Sequence, residues 1–220
     1  MLQYYNLKIS KRFGKGMGMK IIRLAAGPLA TNTYLIADDA MHAAAVIDPA
    51  TPVEQILTAA GDGFPKIYKI LLTHGHFDHI GTAQALAVQT GAPVMISAAD
   101  APLLCDGEKN GSLLFLTRPI LCRSTPRYFC DGERLSLGTE EITVRFTPGH
   151  TRGSVCFFSG DCVFTGDTVF ANGYGRTDLY GGDEAEMRRT LSSLLPALAG
   201  RVLYPGHGAY GFRWSGAAID

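Results

Sequence analysis

The stretch LLTHGHFDHIGT, residues 71–82, places His74, His76, Asp78 and His79 within six positions, directly after an apolar run. The chain has six histidines, so half of them stand in this one segment. Imidazole and carboxylate together suit borderline divalent cations such as Zn2+, Fe2+ or Mn2+. Side chains alternate between the faces of an extended chain, so His74 and His76 can point the same way. Asp78 and His79 follow where the chain turns into its next element, and the four groups can converge from two sides. One cation seldom takes four donors from so short a segment, because the backbone cannot wrap around it. Further donors should therefore come from remote loops. Three candidates share a single pattern: His150 in RFTPGHTRGS, Asp167 in CVFTGDTVF and His207 in VLYPGHG each end an apolar strand beside a glycine. Taken singly, such a histidine reads as a turn or core residue and such an aspartate as a turn cap. Taken together they make seven candidate ligands delivered to one sheet edge, enough for two metal ions. His42 lies outside this pattern and reads as an exposed loop residue.

Strands are expected at 20–26, 31–37 and 44–49, the last two joined by a turn around Asp38–Asp39. TPVEQILTAAG (51–61) reads as a helix, with Thr51 as N-cap, Pro52 at the first helical position and Gly61 as its stop. The strand at 66–73 is continuously apolar at its end, which suits a sheet covered on both faces. Next come a helix over 79–91, a strand over 92–97 and a short helix over 98–104. Residues 105–128 are the least regular, and their apolar run at 113–116 is expected to form a pocket wall or lid. The chain is then β-rich, with a hairpin turn at Ser159-Gly160-Asp161. A helix over 182–198, N-capped by Asp183, precedes a final strand and loop at 201–208. This order predicts an α+β fold in four layers, an αββα sandwich of two mixed β-sheets face to face with helices outside. There is no linker-like stretch and no repeat, so 20–220 is expected to be one domain.

Charge is balanced at 20 basic and 20 acidic residues, but unevenly spread. Residues 1–20 hold Lys8, Lys11, Arg12, Lys15 and Lys20 and no acid, leaving a net −5 on the remainder. That remainder lacks the basic face that nucleic-acid binding requires. Residues 1–19 read as a basic N-terminal tail or a misassigned start; they have neither the apolar segment nor the cleavage site of a secretory signal. No run approaches the roughly 18 apolar residues of a membrane-spanning helix. Five cysteines, an odd number without CxxC, suit reduced thiols in a cytoplasmic protein. The expected partner is a small molecule, with the protein acting as a monomer or homodimer.

The set H74-G-H76-F-D78-H79, PGH150T, GD167T and PGH207G resembles the metallo-β-lactamase-fold hydrolases, from about residue 26 to residue 208. Within that superfamily, TNTY (31–34), TPGHTRGSV and GRTDLYGGD (175–183) are similar to the short glyoxalase II-like, hydroxyacylglutathione hydrolase-like branch. The resemblance implies the αββα sandwich and a dinuclear site. One cation would be held by His74, His76 and His150, the other by Asp78, His79 and His207, with Asp167 bridging. The cations would most readily be Zn2+, with Fe or Mn as alternatives. The implied activity is hydrolysis of a thioester or ester by a metal-bridging hydroxide, with Asp78 and Asp167 as catalytic groups. Full-length glyoxalase II enzymes grip glutathione with a C-terminal helical region, whereas 12 residues follow Gly208 here. Hydrolysis is thus better supported than any one substrate. Persulfide dioxygenases share the HxHxDH motif and a GRTDF-like loop but use a single iron, and they are the main alternative. A lactonase and a non-catalytic metal-binding module are further ones. In the 175–183 loop, Arg176 would pair with Asp178 or bind an anionic substrate group, and Tyr174 and Tyr180 would line the pocket.

Overall fold

The computed structural model describes residues 10–12, 18–27, 29–38 and 40–215. The first sheet contains β1 (Ser10–Arg12), β2 (Met19–Ala26), β3 (Thr31–Asp38), β4 (Ala44–Ile47), β5 (Ile67–Leu71), β6 (Val94–Ser97) and β7 (Arg127–Phe129), side by side in sequence order. Its first four strands are antiparallel and the rest run parallel from β4 onward. Parallel neighbours need long crossovers. Helix α1 (Val53–Ala60) supplies the one before β5, and α2 (Ala83–Thr90) the one before β6. The connection to β7 carries the four-residue helix α3 (Ser112–Phe115).

The second half adds β8 (Arg134–Leu137), β9 (Glu140–Phe146), β10 (Val155–Ser159) and β11 (Cys162–Gly166), then a small hairpin of β12 (Val169–Phe170) and β13 (Gly173–Tyr174). Helix α4 (Glu184–Leu198), β14 (Val202–Pro205) and β15 (Phe212–Arg213) complete it. The second sheet has the order β15-β14-β11-β10-β9-β8. Only β11 and β14 pair in parallel within it.

Alternation along the strands creates the layers. In β3, Tyr34 and Ile36 face the second sheet, packing in one core with Leu137, Phe157, Phe164 and Tyr204. Their neighbours Leu35 and Ala37 face the other way, toward Val53 and Ile56 of α1 and Leu86 of α2. In β11, Phe164 joins the inter-sheet core while Val163 packs under Met187, Leu191 and Leu194 of α4. Three apolar layers between four structural ones make the αββα sandwich that the sequence predicts. Each large side chain sealed there contributes about 1.5–3 kcal/mol.

Several boundaries differ from the sequence reading. Helix α1 begins at Val53, and Pro52 takes the cap position. Thr51 does not cap it, because its hydroxyl is drawn to Thr33 Oγ1 at 3.2 Å. The helix expected over 79–91 starts only at Ala83. The Thr82 hydroxyl is held by the carbonyls of Pro49 and Thr51, and residues 79–82 are a turn in which His79 and Ile80 N–H both donate to His76 O. The segment at 98–104 is a 3-10 turn over Ala101–Cys105. Asp183 caps α4 as expected, accepting from Glu186 N–H at 2.8 Å. The two-residue hairpin at Gly160-Asp161 is present, with Ser159 opposite Cys162. Of the N-terminal stretch, Ser10–Arg12 pair with residues 21–23 and Met19 opens β2, while 1–9 and 13–17 lie outside the described residues, as does Asp39. None of the five cysteines, all among the described residues, is joined in a disulfide. No helix among the described residues is long and apolar enough to cross a membrane.

Candidate metal centre

Strands β9, β11 and β14 point the same way in the second sheet, since β10 between β9 and β11 is antiparallel to both. Their C-terminal ends lead into His150, Asp167 and His207, and the C-terminal end of β5 leads into His74. Carboxyl ends of strands are where side chains are free to converge on a ligand. A backbone bond from Val155 N–H to Thr73 O, 2.8 Å, ties the two sheets together beside this edge.

The seven expected residues meet there. His74, His76 and His150 form one set of ligating atoms lying within 4.8 Å of one another; Asp78, His79 and His207 form another, and Asp167 groups with His74 and His79. The His74 ring centroid is 4.8 Å from that of His150 and 4.0 Å from that of His79, which is 5.3 Å from that of His207. Asp167 spans the two sets, with Oδ1 3.3 Å from His79 Nε2, and Oδ2 3.3 Å from His207 Nε2 and 3.6 Å from His150 Nε2.

The outward nitrogens are anchored. His150 Nδ1 meets Arg176 O at 2.7 Å and His207 Nδ1 meets Leu29 O at 3.0 Å, so both rings donate outward through Nδ1 and turn Nε2 inward. Asp48 performs this service for both donor sets. Its Oδ2 lies 2.9 Å from His79 Nδ1 and accepts from Thr73 Oγ1 at 2.6 Å. With Thr73 donating there, its oxygen is left to accept from His74 Nδ1 at 3.1 Å. Asp100 braces the neighbouring loops, accepting from Gly75 N–H, Gly153 N–H and Thr151 Oγ1 at 2.7–2.9 Å. Thr31 Oγ1 donates to Asp78 Oδ2 at 2.6 Å. Asn32 Nδ2 and the Tyr34 hydroxyl both hold Pro205 O, at 2.8 and 2.6 Å, which fixes the loop bearing His207.

Burial, reinforced by the imidazoles of His79, His150 and His76, pushes the pKa of His74 well below the ordinary histidine range. Burial and His150 likewise lower His76 to about 3. These rings are neutral near pH 7 and offer lone pairs. Around the second set, burial opposes charge on His79, but Asp78, Asp167 and Asp48 outweigh it and raise the pKa well above normal. His76 turns its Nδ1 inward, 2.9 Å from His150 Nε2, and His74 Nε2 is buried without a hydrogen-bond partner. A buried nitrogen of that kind is costly unless something satisfies it, and a cation does so. The donor chemistry fits divalent metal ions.

Close backbone approach makes glycine necessary beside the donors. A Cβ at Gly206 would stand 2.1 Å from Asp167 Oδ1 and 2.6 Å from His79 Cε1. At Gly166, φ is +49° and a Cβ would stand 2.5 Å from Thr73 Oγ1.

A cavity of about 480 Å³ opens over His76, Asp78, His150, Asp167 and His207. Its walls include Leu29, Phe77, Phe115, Phe170 and Leu179, so the 113–116 run does reach the pocket, through Phe115. Arg176 also lines it, but its guanidinium is engaged by both Asp178 oxygens at 2.6 and 2.7 Å. Tyr174 does not line this cavity, contrary to expectation. Its hydroxyl donates to Glu184 at 3.1 Å and its ring packs against the core under α4. Tyr180 is likewise absent from the lining.

Sequence reasoning missed Asp48, Asp100 and Thr31. The first two are buried carboxylates at loop positions where aspartate commonly serves turns, and only Asp48's position at a strand end (AAVIDP) gave a signal.

Comparison with known proteins agrees with this geometry. The chain is 32% identical over 204 residues to the hydroxyacylglutathione hydrolase GloC of Haemophilus influenzae, covering 88% of this chain and 92% of that protein. Among solved structures, the BLEG-1 B3 metallo-beta-lactamase superposes with a TM-score of 0.80 at 32% identity, covering 86% of this chain and 92% of the other. TTHA1623 in a di-iron-bound form gives 0.75 at 31% identity, covering 85% and 92%. The profile of the metallo-beta-lactamase superfamily matches residues 26–207, and the chain belongs to that superfamily.

Proposed function

We propose that the protein is a metal-dependent hydrolase of small-molecule thioesters or esters. His74, His76 and His150 would hold one cation, Asp78, His79 and His207 a second, and Asp167 would serve both. Zinc suits the donor set, and iron or manganese would also be accepted. When bound, such a pair lowers the pKa of water toward neutrality and polarises a carbonyl. The rest falls to the chain. Asp78, held at Oδ2 by the Thr31 hydroxyl, orients the attacking water. The apolar walls exclude bulk solvent and orient the substrate carbonyl toward the cluster. Five of the six histidines belong to the cluster and the sixth, His42, has a side chain 68% exposed beside Asp38, so no histidine remains as a general acid for a poor leaving group. A thiolate leaves without one, which favours thioesters and activated esters over amides. The name of the GloC relative points in the same direction.

The observation that carries the reading is two donor sets, joined by Asp167, at the base of a substrate-sized cavity. The test is thioester hydrolysis by chelator-treated protein before and after restoring Zn2+, Mn2+ or Fe2+. Turnover should return with metal and be lost in His150→Ala. Undiminished turnover in that variant overturns the assignment. Oxygen uptake with glutathione persulfide by iron-loaded protein, in place of hydrolysis, would assign the dioxygenase reaction instead.

A further inference from the structure

We infer that the substrate carries an apolar, uncharged chain beside its scissile carbonyl, in place of the charged tripeptide of a glutathione conjugate. The inference rests on the hydrolase reading above. Outside the His/Asp cluster, two polar side chains among the described residues line the cavity, and each already has a partner. Arg176 is held by the two Asp178 oxygens. Asn110 is buried and used at both ends: Nδ2 donates to Leu103 O and Ile120 O at 3.0 and 2.8 Å, and Oδ1 accepts from Ser112 N–H at 2.9 Å. Glutathione brings two carboxylates and an ammonium group, and among the described lining residues the one charged side chain outside the cluster is Arg176, whose charge Asp178 already balances.

What the cavity does present is apolar. Leu29, Phe77, Phe115, Phe170 and Leu179 face it. Phe115 is not loosely placed, for its ring stacks on Phe77 with centroids 5.6 Å apart and planes 27° from parallel. The helix that carries it exposes three consecutive apolar side chains, Leu113, Leu114 and Phe115, at 45, 67 and 52%. A run of that kind is a liability on a protein surface unless it contacts something. Asn110 pins the turn that holds the run at the cavity mouth, and the free volume suits a small molecule. A chain lying against Phe115 would cover part of this surface.

The chain can belong to the acyl or the thiol side, and the substrates distinguish them. With metal-loaded protein, kcat/KM is compared for S-acetyl- and S-hexanoyl-N-acetylcysteamine, for S-ethyl and S-hexyl thioacetate, and for S-lactoylglutathione. At least one long-chain member should exceed its short partner by about tenfold or more, since four methylenes are sheltered, and should exceed S-lactoylglutathione. Phe115→Ala should shrink that long-to-short ratio by about threefold or more. A second readout needs no turnover: calorimetry of metal-free protein with the thioethers N-acetyl-S-ethylcysteamine and N-acetyl-S-hexylcysteamine, and with glutathione. The hexyl compound should bind most tightly, with a negative heat-capacity change, and the preference should fall in Phe115→Ala. Equal binding of the two thioethers, or hydrolysis that favours S-lactoylglutathione, overturns the inference while leaving the hydrolase reading intact. Preferential hexyl binding without metal-dependent hydrolysis of any substrate supports the apolar subsite and overturns the hydrolase reading alone.

Discussion

Asp48→Asn is the sharpest test of how the donor rings are held. Asp48 sits at φ +49°, a region that asparagine tolerates better than most residues, so the exchange leaves the backbone in place. The carboxylate accepts from Thr73 N–H through Oδ1, and from Thr73 Oγ1 and His79 through Oδ2. An amide presents one acceptor and one donor to those same groups. With its NH2 toward Thr73 N–H, two donors collide in a buried site, which costs about 1–3 kcal/mol of stability. With its NH2 toward His79, the ring is driven to the other tautomer, its proton moves to Nε2 and the inward lone pair is lost. Loss of such an outer partner typically weakens metal affinity about 10–100-fold. The assays are Zn2+ titration against a chromophoric chelator and a urea unfolding curve of the metal-free protein. One of the two must move. Wild-type affinity together with a wild-type unfolding midpoint would refute the claim that this carboxylate fixes the rings.

Other outcomes follow from the same geometry. Asp38 is buried and accepts from His42 and Ala43 N–H through Oδ1 and from Thr139 through Oδ2, linking a turn of the first sheet to one of the second. Asp38→Asn should cost about 1.5–3 kcal/mol at pH 7, measured by urea unfolding. Burial opposes ionisation of Asp38, but those hydrogen bonds outweigh it and lower its pKa. The contribution is therefore full above the ordinary aspartate value of about 3.9 and fades as pH falls through the lower folded value, so the wild-type advantage should shrink in acid. Gly206→Ala would push a methyl into Asp167 and His79. It should lower kcat/KM for a thioester by about 100-fold, the cost of roughly 1 Å of misplacement; activity within a factor of two of wild type would contradict the contact.

The αββα layering was legible because apolar alternation in segments such as TNTYLIA survives into the structure as two faces with two different cores. The seven donors were legible for a related reason: each is polar at the tip of an apolar strand or in the turn after it, and often beside a glycine. The boundaries near the site were not. Periodicity carried the second helix back to His79, but side chains of Thr82 and neighbouring backbone bonds hold 79–82 as a turn. Residues 105–128 looked irregular because their order comes from side-chain bonds, those of Asn110, Ser112 and Asp106, rather than from any periodic pattern. Tyr174 was misplaced because a tyrosine in a glycine-rich loop near the site carries no sign of which way its ring faces. Asp48 and Asp100 escaped because partners far along the chain give them their roles, His79 to the one and Gly153 to the other.

Neither half of the chain owns a complete donor set. The first set draws His74 and His76 from the loop after β5 and His150 from the loop after β9; the second draws Asp78 and His79 from the former and His207 from the loop after β14. During synthesis, a nascent chain therefore exposes its histidine-rich segment long before a three-residue grip on any cation exists. The first grip awaits emergence of residue 150 and the second that of residue 207, in the loop after β14. On the proposed ligand assignment, neither set is complete until the two sheets have docked, and a product truncated before residue 150 would lack a complete example of either.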